Sequence, residues 1–238
     1  MSTLYIVGTP IGNLEDISLR AIRVLKEADL VLCEDTRVTA KLLNHHGIDT
    51  KTVSYHQHSG LSKLNHILDL LKRGNNLALV SDSGTPGISD PGGKLVQQVR
   101  QEFGDKVKIE SVPGPSAVTA ALSISGVPAD KFLFLGFPPH KKGRQKFLKR
   151  IVAEDHPVVV YESKHRIVKF LQELKLLLEE EPALKDKNSA SLVVCRELSK
   201  MHETVYRGDV DEIIAKIDKK GGAGSQKDQK GEFAIIVY

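Results

Sequence analysis

Apolar positions in the first half of the chain alternate between two spacings. Short unbroken apolar runs at Leu4–Gly8, Leu30–Glu34, Thr52–His56, Leu77–Asp82 and Val107–Val112 predict β-strands. Between them, amphipathic stretches near Ile17–Ala28, Thr39–His46, Ser62–Arg73 and Gly93–Phe103 predict helices. Gly47 and Gly74 sit where the second and third helices should stop, and Ser59 stands where an N-cap for the third belongs. Continuous apolar strands alternating with helices read as a parallel sheet covered on both faces.

The second half opens on a Pro113-Gly-Pro115 break and a helix of small residues, Ser116–Ser125. Further strands are predicted at Phe132–Phe137, Val158–Glu162, Ser191–Glu197, Glu203–Gly208 and Phe233–Tyr238, and helices at Gln145–Ala153, Ile167–Glu180 and Val210–Asp218. The last strands follow one another with little between them, so this sheet is expected to be mixed. The reading is therefore a two-domain α/β chain, residues 1–113 and 114–238, with no internal repeat. The low-complexity run Lys219–Lys230 is expected to be a mobile loop.

Composition narrows the class. With 40% apolar and 27% charged residues the chain has the make-up of a globular protein. No apolar run reaches the roughly 18 residues of a membrane span, and the chain starts in a strand-like run without a basic leader, so a cytoplasmic location is expected. Cys33 and Cys195 lie in separate apolar runs without metal-ligand spacing and read as reduced, buried thiols. Residues 1–110 carry 13 basic and 13 acidic side chains, so the whole net charge of +4 belongs to residues 111–238. A polyanion is more readily held there.

Three Gly/Pro-rich loops follow predicted strands, and ligands of open parallel sheets bind beyond the carboxyl ends of strands. They are Gly8-Thr-Pro-Ile-Gly-Asn13, Ser81–Gly93 and Val112-Pro-Gly-Pro-Ser-Ala117. The second packs four glycines and two prolines into thirteen residues, more than a turn requires. Glycine lets main chain approach a ligand and proline fixes loop shape, which suits a flat polar ligand. The first loop is not a dinucleotide fingerprint, because Pro10 and Ile11 interrupt it. The second is not a phosphate loop, because Ile88 and Leu95 occupy its required Gly and Ser/Thr positions.

Charged chemistry gathers at the same predicted edge. Glu34-Asp-Thr-Arg37 directly follows an apolar strand, where charge is costly unless used or paired. Two accounts fit: Glu34 or Asp35 as base or orienter with Arg37 aligning phosphate or substrate, or a helix N-cap with a local ion pair. His56 follows the third strand, as a base near neutral pH or as a hydrogen-bonded loop histidine. The densest basic run, His140–Arg150, holds six Lys/Arg in eleven residues. Lys141, Lys142, Arg144 and Lys146 would contact RNA phosphates or form a solvated helix face, and Lys164, His165, Arg166, Arg196 and Lys200 would extend that surface.

The ordered set of Val7–Asp16, Glu34–Arg37, Ser81–Gly93, Val112–Ala117, Gly136-Phe-Pro-Pro-His-Lys141, Tyr161-Glu-Ser-Lys-His-Arg166, Arg196–Glu203 and Gly231-Glu-Phe233 resembles the tetrapyrrole methylase superfamily, in the branch that methylates cytidine ribose in small-subunit ribosomal RNA. The resemblance implies two α/β domains with S-adenosyl-L-methionine in the cleft between them, no metal, and a homodimer. It implies Pro10, Asp82, Ser83, Gly84, Ser116 and Ala117 as cofactor neighbours, with Tyr161, Glu162 and Leu198 on the adenine side. The chain departs at Lys164, where the family commonly has proline, and it stops at Tyr238 where a small helical extension thought to hold RNA usually follows. Tetrapyrrole or modified-histidine acceptors, and a non-catalytic RNA-binding relative, are the competing functions.

Overall fold

The computed structural model of the protein describes residues 1–56, 59–90, 92–180, 191–218 and 231–238. The run Lys219–Lys230, together with His58 and Pro91, lies outside the described residues. The chain forms two compact units, Met1–Ser116 and Ala117–Tyr238.

In the first unit β1 (Thr3–Val7), α1 (Leu19–Glu27), β2 (Leu30–Cys33), α2 (Thr36–His45), β3 (Thr52–Ser54), α3 (Leu61–Lys72), β4 (Leu77–Leu79), α4 (Gly92–Phe103) and β5 (Lys108–Val112) alternate. The strands form one parallel sheet in the order β3-β2-β4-β1-β5. Side chains alternate across a strand, and both sets here are apolar. Val31, Cys33, Ala78 and Val80 join Val24, Leu25, Leu42 and Leu43 of α1 and α2 on one face. Leu32, Leu77 and Leu79 join Ile67, Leu71, Leu95 and Val99 of α3 and α4 on the other. Both faces are therefore covered, as the unbroken apolar strands predict.

This order sets where a ligand can bind. β4 lies between β2 and β1, whose following helices pack on one face, while the helix after β4 packs on the other. Loops leaving adjacent strands toward opposite faces open a crevice at the carboxyl end of β4.

Helix ends follow local chemistry, and some depart from the sequence expectation. The α2 and α3 stops are Schellman motifs: Ile48 N–H bonds Leu43 O at 2.9 Å and Asn75 N–H bonds Leu70 O at 3.1 Å. Gly47 (φ 59°) and Gly74 (φ 94°) supply the left-handed residue each motif needs. The start of α2, however, is Thr36, not Thr39, because Asp35 caps it. The N-cap of α3 is Gly60, without a side-chain bond, and the Ser59 hydroxyl instead accepts from His56 N–H at 2.9 Å.

The second unit contains α5 (Ala117–Ser125), β6 (Leu133–Gly136), α6 (Arg144–Val152), β7 (Val158–Ser163), α7 (Ile167–Glu180), β8 (Leu192–Arg196), β9 (Thr204–Gly208), α8 (Val210–Asp218) and β10 (Glu232–Val237). Its sheet, ordered β6-β7-β10-β8-β9, is mixed: β6 and β7 are parallel and the other pairs antiparallel. Leu148, Ile151, Phe170, Leu174, Ile213 and Ile217 from α6, α7 and α8 pack on Val158, Val160, Val194, Phe233 and Ile235. α5 packs against β10.

Candidate functional site

In the first unit the three glycine loops are laced together, because the strands that carry them, β4, β1 and β5, are neighbours. Thr9 and Gly84 exchange main-chain bonds, Thr9 N–H to Gly84 O at 2.9 Å and Gly84 N–H to Thr9 O at 3.2 Å. The Thr9 hydroxyl adds a bond to Ser81 O at 3.1 Å, and the Thr85 hydroxyl one to Pro115 O at 3.3 Å. Gly8 and Gly114 meet main chain to main chain: a Cβ on Gly8 would stand 2.7 Å from Gly114 Cα. Only glycine permits that approach. Pro10 and Gly84 are buried within this platform, while Asp82 and Ser83 are exposed at its tip. Gly84 has committed both main-chain groups to Thr9.

The Glu34–Arg37 segment borders the same crevice from β2. Asp35 N–H donates to Asp82 Oδ1 at 3.0 Å, and Asp82 N–H donates to Glu34 Oε1 at 3.4 Å. The two adjacent carboxylates have different surroundings. Asp35 accepts from Arg37 N–H at 2.8 Å and pairs with the Arg37 guanidinium at 2.6 Å. Those bonds draw the Asp35 carboxyl down to about 2. Partial burial, with Asp82 and Asp90 adding negative charge, pushes Glu34 upward despite its bond from Asp82. Asp35 is therefore the helix cap and ion-pair partner, and Glu34 is the half-buried neighbour beside Asp82. His56 is exposed after β3, the edge strand, two strands from β4.

In the second unit, several residues predicted to face ligands are internal. Glu162 is 1% exposed. Its Oε1 accepts from Ser163 N–H at 2.7 Å and pairs with Arg166 Nη2 at 2.8 Å. Arg144, 6% exposed, pairs through Nε with Glu173 at 2.6 Å. The two arginines also grip consecutive carbonyls, Arg166 Nη1 to Pro138 O at 3.1 Å and Arg144 Nη1 to Pro139 O at 3.2 Å. Arg144 and Arg166 are thus clamps on the loop before α6, not free phosphate ligands. Arg196 is buried, and Lys200 is paired with Glu197 at 2.9 Å and Glu232 at 3.0 Å, so neither extends a basic surface. Lys141, Lys142, Lys146, Lys164 and His165 remain exposed.

The model of the Tetrapyrrole (Corrin/Porphyrin) Methylases family matches residues 3–214. The chain belongs to the tetrapyrrole methylase family. Among curated relatives, it is 40% identical to the "Ribosomal RNA small subunit methyltransferase I" of Thermotoga maritima, over 94% of this chain and 96% of that protein. It is 44% identical to the protein of the same name from Vibrio cholerae, over 99% of this chain and 76% of that one. Two solved structures share the fold at low identity. They are the uroporphyrin-III-C-methyltransferase of Thermus thermophilus (TM-score 0.64, 20% identity, 99% of this chain and 94% of that chain) and a cobalt precorrin-4 methyltransferase (TM-score 0.63, 17% identity, again 99% and 94%).

For a tetrapyrrole methylase the structure adds what particular residues inside the quoted motifs do. Asp90 closes the β4 loop by accepting from Gly87 N–H at 2.8 Å and Gly92 N–H at 2.7 Å, beside Ser89 at φ 65°. On either side of buried Leu198, Glu197 (φ 53°) and Ser199 (φ 67°) hold left-handed backbone that non-glycine residues seldom adopt. Glu197 is fixed there by Lys200 and by Glu232 N–H at 2.9 Å. Gly231 is required opposite, since a Cβ would stand 2.6 Å from Glu197 Cγ. Such strain gathers at ligand-binding positions. Among the described residues no group of three or more His, Cys, Asp or Glu is placed to hold a metal, and no helix is long and apolar enough to cross a membrane. Burial pushes both thiols upward, Cys195 to about 11, which leaves neither activated as a nucleophile.

Proposed function

We propose that the protein is a cytoplasmic methyltransferase that transfers a methyl group from S-adenosyl-L-methionine to the ribose 2′-oxygen of a cytidine in small-subunit ribosomal RNA, acting as a homodimer. The observation that carries this reading is the 40% identity, along nearly the whole of both chains, to a relative named for small-subunit ribosomal RNA methylation.

The platform at the end of β4 fits the methyl donor. Its glycine contacts leave a close main-chain floor, with the exposed Asp82 and Ser83 positioned to meet polar groups of the amino-acid or ribose portion. When bound there, the cofactor supplies a methyl already activated on sulfonium, so the protein's task is alignment and proton removal. Alignment alone can lower a barrier by roughly 7–11 kcal/mol in favourable cases. Glu34 takes the proton of the acceptor hydroxyl: its raised pKa makes it a stronger base than Asp35, whose lone pairs are engaged by Arg37. Lys141, Lys142, Lys146 and Lys164 hold RNA phosphates.

The test is methyl transfer from labelled S-adenosyl-L-methionine to small ribosomal subunits lacking ribose methylation. Label mapped to a cytidine 2′-oxygen is expected. Cofactor binding without transfer to these subunits would overturn the acceptor assignment, with corrin or porphyrin precursors and modified histidine as the next acceptors to assay.

A further inference from the structure

The loop between β6 and α6 is more elaborate than its length requires. β6 pairs with β7 through Leu133↔Val158 and Phe134↔Val159, then skips Leu135 so that Gly136 meets Val160. A bulge of this kind re-aims the chain that follows it. Gly136 is left-handed at φ 68°, and Phe137 emerges 51% exposed. Its ring leans on Tyr161, with centroids 5.4 Å apart, and Tyr161 in turn meets Phe134 at 5.0 Å. A large apolar ring is thus backed by aromatics on one side and open to solvent on the other.

The next two residues, Pro138 and Pro139, are the ones whose carbonyls Arg166 and Arg144 grip. That grip is costly. Arg144 Nη2 and Glu162 Oε2 are buried without a hydrogen-bond partner among the described residues, and each such atom costs stability. A buried ion network gives little net stability to a fold, and what this one visibly does is hold two consecutive carbonyls. What it fixes here is the short segment from Phe137 to the exposed His140, Lys141 and Lys142. An exposed aromatic face beside cations is the combination that binds unpaired nucleotides, with rings stacking on bases and lysines holding phosphates.

We propose that Phe137 is a stacking platform for an unpaired base of the RNA substrate, held in place by the Arg144–Glu162–Arg166 clamp, with Lys141 and Lys142 taking the flanking phosphates. The inference rests on the RNA-methyltransferase reading and adds to it a named base contact. It commits to single-stranded RNA because the open ring lies in the part of the chain that carries all of the net positive charge.

The experiment titrates small-subunit ribosomal RNA lacking ribose methylation with wild type, Phe137→Ala, Phe137→Trp and the Lys141→Ala/Lys142→Ala double variant, at several salt concentrations. Cofactor affinity and sedimentation are measured on the same samples. Phe137→Ala should weaken RNA binding about ten-fold with an unchanged salt slope, as expected for a lost stacking contact. Phe137→Trp should restore it. The lysine variant should flatten the slope of log affinity against log salt by about 1.4, two phosphate contacts at roughly 0.7 each. An unchanged RNA affinity for Phe137→Ala overturns the proposal. So does a parallel loss of cofactor affinity, which would assign the ring to the cofactor, or a changed sedimentation coefficient, which would assign it to a second copy of the chain. Wild-type protein that neither binds nor methylates the RNA would defeat the functional reading itself, whereas an active wild type with an indifferent Phe137→Ala defeats only this inference.

Discussion

Glu34 and Asp35 are consecutive carboxylates with opposite shifts, and the proposed role of Glu34 as base makes that difference testable. Asp35 is drawn down to about 2 by Arg37 and the first turn of α2. Glu34 is pushed up by partial burial. A base works only when deprotonated, so methyl transfer should rise with pH through an apparent pKa above the ordinary glutamate value. Glu34→Gln should lower kcat by about 10²–10⁴, with cofactor affinity kept, in single-turnover assays. Its effect on stability has the opposite sign. A carboxyl whose folded pKa is raised contributes most below its unfolded pKa, and that contribution is lost as pH rises through the folded value. At neutral pH Glu34→Gln should therefore raise the melting temperature while it removes activity. Asp35→Ala should do the reverse, lowering the melting temperature and sparing most of kcat.

At the scale of elements, two glycines make contrasting tests. Gly8 touches Gly114 through main chain, with no room for a methyl group. Gly8→Ala should destabilise the first unit by about 1–3 kcal/mol, read from denaturant midpoints, because backbone rather than a flexible side chain must yield. Gly60 caps α3 without a side-chain bond, and a Cβ there meets nothing within 4 Å among the described residues. Gly60→Asp should add a cap and favourable charge at the helix start, stabilising by about 0.5 kcal/mol in the same measurement. The elements themselves were legible from periodicity: α7 spans Ile167–Glu180 and α8 Val210–Asp218, as their apolar spacing predicts. Strand ends were less so. β3 stops at Ser54 and β4 at Leu79, although the sequence reading carries them on to His56 and Asp82. One further main-chain bond follows each strand, Tyr55 N–H to Cys33 O and Val80 N–H to Leu32 O, before the chain turns into its loop, a departure that propensity does not register.

For the molecule as a whole, a methyl donor held by the folded protein must stabilise it. At a hundred times its Kd, S-adenosyl-L-methionine should contribute about 2.7 kcal/mol, which for a chain of this size is a rise of about 5–10 °C in melting temperature by scanning calorimetry. The charge asymmetry makes the RNA partner a separate measurement. Its affinity should fall steeply with salt while that of the cofactor changes little.

Sequence alone determined the alternation of strands and helices, the two-sided burial of the first sheet and the three glycine loops, because these depend on residue type and local spacing. The resemblance of those loops to a family was carried by the same local features. Only the tertiary structure decided which charges are available. Arg144, Glu162, Arg166, Arg196 and Lys200 have the composition of a ligand surface, yet Arg144, Glu162, Arg166 and Lys200 are held in the ion pairs described above and Arg196 is buried in its strand. A charge's availability depends on partners brought from distant positions, as Glu173 is to Arg144 across 29 residues. The likeness of Glu34 to Asp35 in sequence, and its unlikeness in chemistry, has the same cause: Arg37 reaches one carboxylate, while packing and neighbouring carboxylates surround the other.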